Sequence, residues 1–169
     1  MIFLRRKPSF LVDGKDIIME HILIKYEDKC KITLNSDYEV INIECSLPIV
    51  GEGNNRVVYD LGDKVLKVAK SSMGSSYNIN EYNLWKYLEN KSKKLKINEI
   101  FEIDDNGYWY VAEKVQTGNN DAMDKALNFI DWLDYSDNAG YDKNGKLTIV
   151  DAEEVRINDL KYLLENGII

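Results

Sequence analysis

The chain has 169 residues, 44% hydrophobic and 11% aromatic, which suits one compact domain with a small appendage at most and excludes a disordered or proline-rich protein. A formal net charge of −7, with no dense basic tract, excludes a general nucleic-acid binder, because phosphate neutralisation needs a basic surface. No apolar run approaches a membrane span, and the opening MIFLRRKPSF carries its charges after its apolar residues, so no anchor or signal peptide is read and a cytoplasmic location is expected.

Residues 1–47 read mostly as strand. The runs Ile22-Leu23-Ile24-Lys25-Tyr26, Cys30-Lys31-Ile32-Thr33-Leu34 and Tyr38-Glu39-Val40-Ile41-Asn42-Ile43 are β-branched or aromatic, with Glu27-Asp28-Lys29 and Asn35-Ser36-Asp37 as turns between them. Cys30 and Cys45 form no CxxC pair, and with His21 as the single histidine they complete no usual zinc site. Two buried or half-buried thiols in a reducing cytosol are expected, close together if they flank a hairpin, with no bond required.

Val57-Val58-Tyr59 and Val65-Leu66-Lys67-Val68-Ala69, joined by Leu61-Gly62-Asp63, predict a hairpin, and residues 71–76 predict a polar loop. From Asn78 the rhythm turns helical, with Ile79, Tyr82, Trp85 and Leu88 at three-residue steps. Residues 97–103 and 108–115 predict a strand pair around Asp104-Asp105-Asn106-Gly107. A helix follows, capped by Asn120 or Asp121, with Met123, Leu127, Ile130 and Leu133 on one face. Residues 139–150 predict a second hairpin, and residues 157–165 a last helix that stops at Asn166-Gly167. Hairpin-rich order with interspersed helices predicts an α+β fold.

Chemistry concentrates in residues 50–151. Gly51-Glu52-Gly53-Asn54-Asn55-Arg56-Val57-Val58 gives a glycine-rich turn whose backbone N–H groups can approach phosphate oxygens with no side chain intervening. Taken alone, Gly51 and Gly53 fit equally an ordinary turn needing positive φ. Lys67 lies on the next strand, with Lys70 a competing cation at the end of the same apolar run. Glu81 sits on the following helix, where it can pair with Lys67 or face water. Trp109-Tyr110-Val111-Ala112-Glu113 is a strand ending in an acid, and the hairpin after Asn138 delivers Asp151 from a strand end.

These motifs, in this order, resemble the protein-kinase-like superfamily, in a miniature form of the kind carried by phages and mobile elements. The resemblance implies an antiparallel-sheet small lobe with one crossing helix (residues 48–116), a β-rich N-terminal extension (1–47) and a strongly reduced helical C-terminal lobe (117–169). It implies ATP and Mg2+ as cofactors. Gly51 and Gly53 would cover the phosphates, Lys67 would hold them and Glu81 would hold Lys67. Glu113 would lie where adenine packs, and Asn138 and Asp151 would hold the metal.

The departures are as specific. Arg56 stands where the loop's third glycine would be, and Asp151-Ala152-Glu153 stands in place of D-F-G. Five residues before Asn138 lies Leu133, where the catalytic aspartate belongs; Asp134 and Asp137 are the nearby candidates for a displaced base. Only 18 residues follow Asp151, too few for a substrate-binding lobe. The expectation is a kinase-like nucleotide-binding protein, an ATP-dependent phosphotransferase if active, with the missing base pointing towards a pseudokinase. The alternative is a degenerate kinase fold that binds and inhibits a host defence enzyme without catalysis. Residues 1–47 are expected either to add strands to the small lobe or to offer an edge to that partner.

Overall fold

The computed structural model describes residues 3–6, 10–12, 15–17, 20–130, 138–153 and 155–169. The elements are β1 (Phe3–Arg6), β2 (Phe10–Val12), β3 (Lys15–Ile17), β4 (Glu20–Tyr26), β5 (Cys30–Leu34), β6 (Val40–Cys45), β7 (Ile49–Glu52), β8 (Arg56–Asp60) and β9 (Lys64–Ala69). Helix α1 (Ser72–Leu88) is followed by β10 (Leu95–Ile97), β11 (Ile100–Ile103), β12 (Trp109–Glu113), α2 (Asn120–Leu127), β13 (Ala139–Tyr141), β14 (Leu147–Ile149) and α3 (Ile157–Glu165). The class is α+β, as expected.

The first sheet runs in the order β1-β4-β5-β6, all antiparallel. The Asn35 side chain organises its second turn, its Oδ1 accepting from the N–H groups of Asp37 and Glu39. The second sheet runs β11-β12-β9-β8-β7, also antiparallel. Residues 20–45 add no strand to it. The two sheets instead pack face to face, with Ile24, Ile32 and Leu34 of the first sharing one core with Val57, Leu66, Val68 and Val111 of the second. Trp109 fastens the contact, its ring edge-on to Tyr26 and its Nε1 donating to the Lys25 carbonyl at 3.1 Å. Cys30 and Cys45 lie directly opposite each other across β5 and β6 and are disulfide-bonded, where sequence predicts free thiols.

Strand alternation decides which side chains reach the other face. Leu66, Val68, Trp109 and Val111 turn towards the first sheet, so their neighbours Lys67 and Tyr110, paired in register, turn towards α1. Helix α1 begins at Ser72, six residues earlier than its periodicity predicts, because Ser71 caps it by accepting from the Gly74 N–H. Gly74 lies so close to the β7–β8 loop that an added Cβ would sit 2.1 Å from the Asn55 carbonyl oxygen. The helix buries Gly74, Ser75, Asn78, Glu81, Leu84 and Leu88. Ile79, read from sequence as part of the apolar stripe, is 39% exposed.

The third sheet runs β10-β14-β13 and holds the exception to antiparallel pairing, since β10 and β14 are parallel. The run predicted as one strand over residues 97–103 divides at Asn98: Leu95–Ile97 joins this lower sheet and Ile100–Ile103 joins the upper one. Asn98 spans the break, its N–H donating to Ile149 and its side-chain amide to the Glu113 carbonyl. Helices α2 and α3 close a second core around Leu84, Leu95, Met123, Ile130, Ile149 and Leu160. Asn119, one residue before the predicted caps, caps α2. Among the described residues no helix is long and apolar enough to cross a membrane.

Candidate functional site

The β7–β8 hairpin overhangs a cavity of about 330 Å3 bounded by Gly51, Gly53, Arg56, Lys67, Asp151 and Glu153. The loop is closed by the Gly53 N–H donating to the Arg56 carbonyl at 2.9 Å and is pinned to α1 by Ser71 Oγ donating to Asn55 Oδ1. Neither Gly51 nor Gly53 has a φ in the left-handed region, so the turn reading does not account for them. Nor does internal packing: a Cβ on Gly51 would meet Val58 at an ordinary 3.7 Å, and one on Gly53 would lie 4.0 Å from its nearest neighbour. What the two glycines preserve is open space above the cavity. A larger and more open groove of about 1000 Å3 adjoins it, lined by Tyr77, Asn80, Val155 and Arg156, but the charged groups converge in the smaller one.

Lys67 is buried beneath the hairpin. Its ammonium lies 3.5 Å from Glu81 Oε2 and donates to the Val150 carbonyl at 2.6 Å, with the Tyr110 ring 5.5 Å away. Glu81 is the hub. Besides Lys67, it accepts from the Tyr110 hydroxyl, from the Ala152 N–H at 3.1 Å and from Arg56 Nη1 at 2.9 Å. Burial works against its charge, but Lys67, Arg56 and the Tyr110 hydroxyl outweigh it and bring its pKa down to about 2. The Tyr110 hydroxyl is pushed well above its ordinary value by burial and by the Glu81 carboxylate.

Arg56 completes the cluster from β8. Nη1 also donates to Asn78 Oδ1, whose amide is fixed by the Gly107 carbonyl at 2.8 Å. Nη2 is bonded to Asp151 and lies 3.3 Å from Glu153. Burial opposes the guanidinium charge, yet Glu81 beside it raises the Arg56 pKa. Asp151 is pushed up, by burial first and then by the Glu81 carboxylate, against the pull of Lys67 and Arg56. Three acids sharing one guanidinium leave the outermost with the poorest compensation.

The structure therefore brings Gly51, Gly53, Lys67, Glu81 and Asp151 together. Asn138 precedes β13, its carbonyl accepting from the Val150 N–H beside Asp151. Lys70, the competing cation, instead reaches out to Glu52 at 2.8 Å. Glu113 does not join the cavity: its carboxylate is 2.6 Å from Lys96, which also binds Asp142 at 2.8 Å, so a cation from β10 holds it towards the lower sheet. Asp134 and Asp137 lie outside the described residues. Sequence reasoning missed Arg56, Tyr110 and Asn78 as members; for Arg56 the signal was its place in the glycine loop.

The groups expected to hold Mg2+ do not fit that ion. The Asp151 carboxylate is already ion-paired to Arg56, and among the described residues no cluster of three His, Cys, Asp or Glu is arranged to hold a metal. The cavity does fit a phosphate-bearing ligand, with a buried ammonium below and glycine backbone above.

No family model and no curated protein matches the chain. Among solved structures it is similar to WbdD in a co-crystal structure with the kinase inhibitor LY294002, at a TM-score of 0.43 and 13% identity, over 99% of this chain and 45% of that one. It is also similar to the Legionella pneumophila Lpg2603 kinase bound to IP6, at a TM-score of 0.36 and 13% identity, over 85% of this chain and 63% of that one. The chain thus spans less than two thirds of the length of either.

Proposed function

We propose that this chain is a kinase-like nucleotide-binding protein whose pocket holds ATP without transferring its phosphoryl group. The observation that carries the reading is Lys67, buried and held by Glu81 and the Val150 carbonyl beneath two glycines that neither backbone angle nor packing requires. An ammonium fixed in that position stabilises phosphate oxygens, and glycine backbone admits them closely. Transfer needs more: a positioned base and a free metal-binding carboxylate. Leu133 occupies the position of the base, and Asp151 is engaged by Arg56.

A thermal-shift titration with ATP in Mg2+ buffer tests the reading. A ligand at 100 times its Kd stabilises by about 2.7 kcal/mol, so a clear rise in Tm is expected, and Lys67→Ala should abolish it. Absence of any shift at saturating ATP, or an equal shift in Lys67→Ala, would sink the nucleotide reading.

A second reading is a protein-binding role, with a host enzyme as the inhibited partner. It is favoured by β6 and β7, which are edge strands of the two packed sheets and expose Ile41, Ile49 and Val50, each about half accessible.

A further inference from the structure

What neutralises charge in this pocket can be read from Arg56, and the inference rests on the nucleotide reading above. Arg56 is not a solvated surface cation, for its side chain is 7% exposed. Its guanidinium is tied to three parts of the fold: to Asn78 and Glu81 on α1, to Asp151 and Glu153 after β14, and through its own backbone to β8. Each terminal nitrogen has two acceptors. Such a planar fork, matched to carboxylates, is a fixed structural cation.

A divalent ion at Asp151 would have to displace this guanidinium. Mg2+ requires near-ideal octahedral oxygen ligands at short range and gives up its waters reluctantly. Here the carboxylate that would bind it is paired with an N–H donor, and the neighbouring carboxylates Glu81 and Glu153 are paired with the same group. Two added positive charges beside a buried guanidinium would also be repelled.

We propose that Arg56 takes the place of the divalent cation, as a tethered monovalent charge, so that the pocket binds its nucleotide phosphates on Lys67 and the hairpin N–H groups without a metal ion. The conserved feature of a metal-dependent pocket, a bridge between its upper sheet and the acid after its lower sheet, is here a side chain. The ligand class is a nucleoside phosphate in its metal-free form.

Three measurements test this. The metal alone comes first: Mn2+ is titrated into the protein and the free ion followed by electron paramagnetic resonance. No uptake that depends on Asp151 is expected; uptake that Asp151→Asn abolishes would overturn the proposal. Next, ATP affinity is measured by thermal shift in EDTA and in Mg2+. The two dissociation constants should agree within about threefold, and weakening in EDTA by about tenfold or more would overturn the proposal while leaving the nucleotide reading intact. No response to ATP in either buffer would overturn the nucleotide reading, and the proposal with it. Last, Arg56→Gln, its fold checked by circular dichroism, should acquire Mg2+-dependent ATP binding. Equal affinity in both buffers for that variant would refute the role of Arg56. Should it fail to fold, the two measurements on the native chain still decide.

Discussion

Replacing Glu81 by glutamine removes one charge from the hub of the cluster while nearly keeping its shape. The buried carboxylate has its pKa lowered from 4.5 to about 2, and 2.5 units of linkage correspond to about 3 kcal/mol. An independent route agrees, since removing one partner from a buried ion pair costs about 3–5 kcal/mol. Glutamine would also set an N–H2 donor against the N–H groups of Arg56, Lys67 or Ala152, all of which need an acceptor there. For a chain of this size the loss corresponds to a fall in Tm of about 6–12 °C. The pH dependence has a definite sign. Because the folded-state pKa lies below the unfolded one, the carboxylate's contribution is present in full above pH 4.5 and is lost as the pH falls through about 2. Urea denaturation of native and Glu81→Gln proteins, from pH 7 down to about pH 3, should therefore show a full penalty at neutral pH that narrows in acid. A penalty below about 1 kcal/mol at pH 7, or one that does not narrow, would refute the view of Glu81 as an ionised hub.

Two further outcomes concern the joint between the glycine hairpin and α1. Gly74→Ala would gain helix propensity but place a Cβ 2.1 Å from the Asn55 carbonyl, and the clash should win, with a net loss of about 1–3 kcal/mol in chemical denaturation. A neutral or stabilised variant would show that the hairpin does not sit on the helix as described. Ser71→Ala removes both the cap on the Gly74 N–H and the bond to Asn55 Oδ1, and should lower stability by about 1 kcal/mol in the same assay.

Strands were legible wherever one face is apolar and turns are marked. Residues 22–34 alternate cleanly, and α3 matches its predicted bounds because Asn166-Gly167 stops it. The first turns of α1 were not legible, since their inward face carries Gly74, Ser75, Asn78 and Glu81. That face packs on Arg56 and Lys67, so its pattern follows polar partners distant in sequence, and apolar periodicity has nothing to register. The break at Asn98 was hidden for a related reason: a short apolar run states that it is buried but not in which sheet. Within the site, the order of Gly51, Gly53, Lys67, Glu81 and Asp151 was readable from motif spacing. The diversion of Glu113 to Lys96 was not, because that ion pair exists only once β10 has left the upper sheet. Arg56 was visible as an anomaly in the loop, but its acceptors are spread over nearly a hundred residues of sequence.

The parallel pairing of β10 with β14 also fixes an order of assembly. All strands of the upper sheet lie within residues 49–113, so that sheet can close from neighbouring hairpins as soon as this stretch of chain exists. Leu95–Ile97 cannot, for its partner Leu147–Ile149 lies about 50 residues further on, and the loop between them must be closed before the pairing returns any stability. On a ribosome, which delivers the N-terminal part first, β10 waits unpaired while the sheet above it is already formed. Asp151 arrives later still, so Lys67 and Arg56 are synthesised and positioned before the acid that joins them exists.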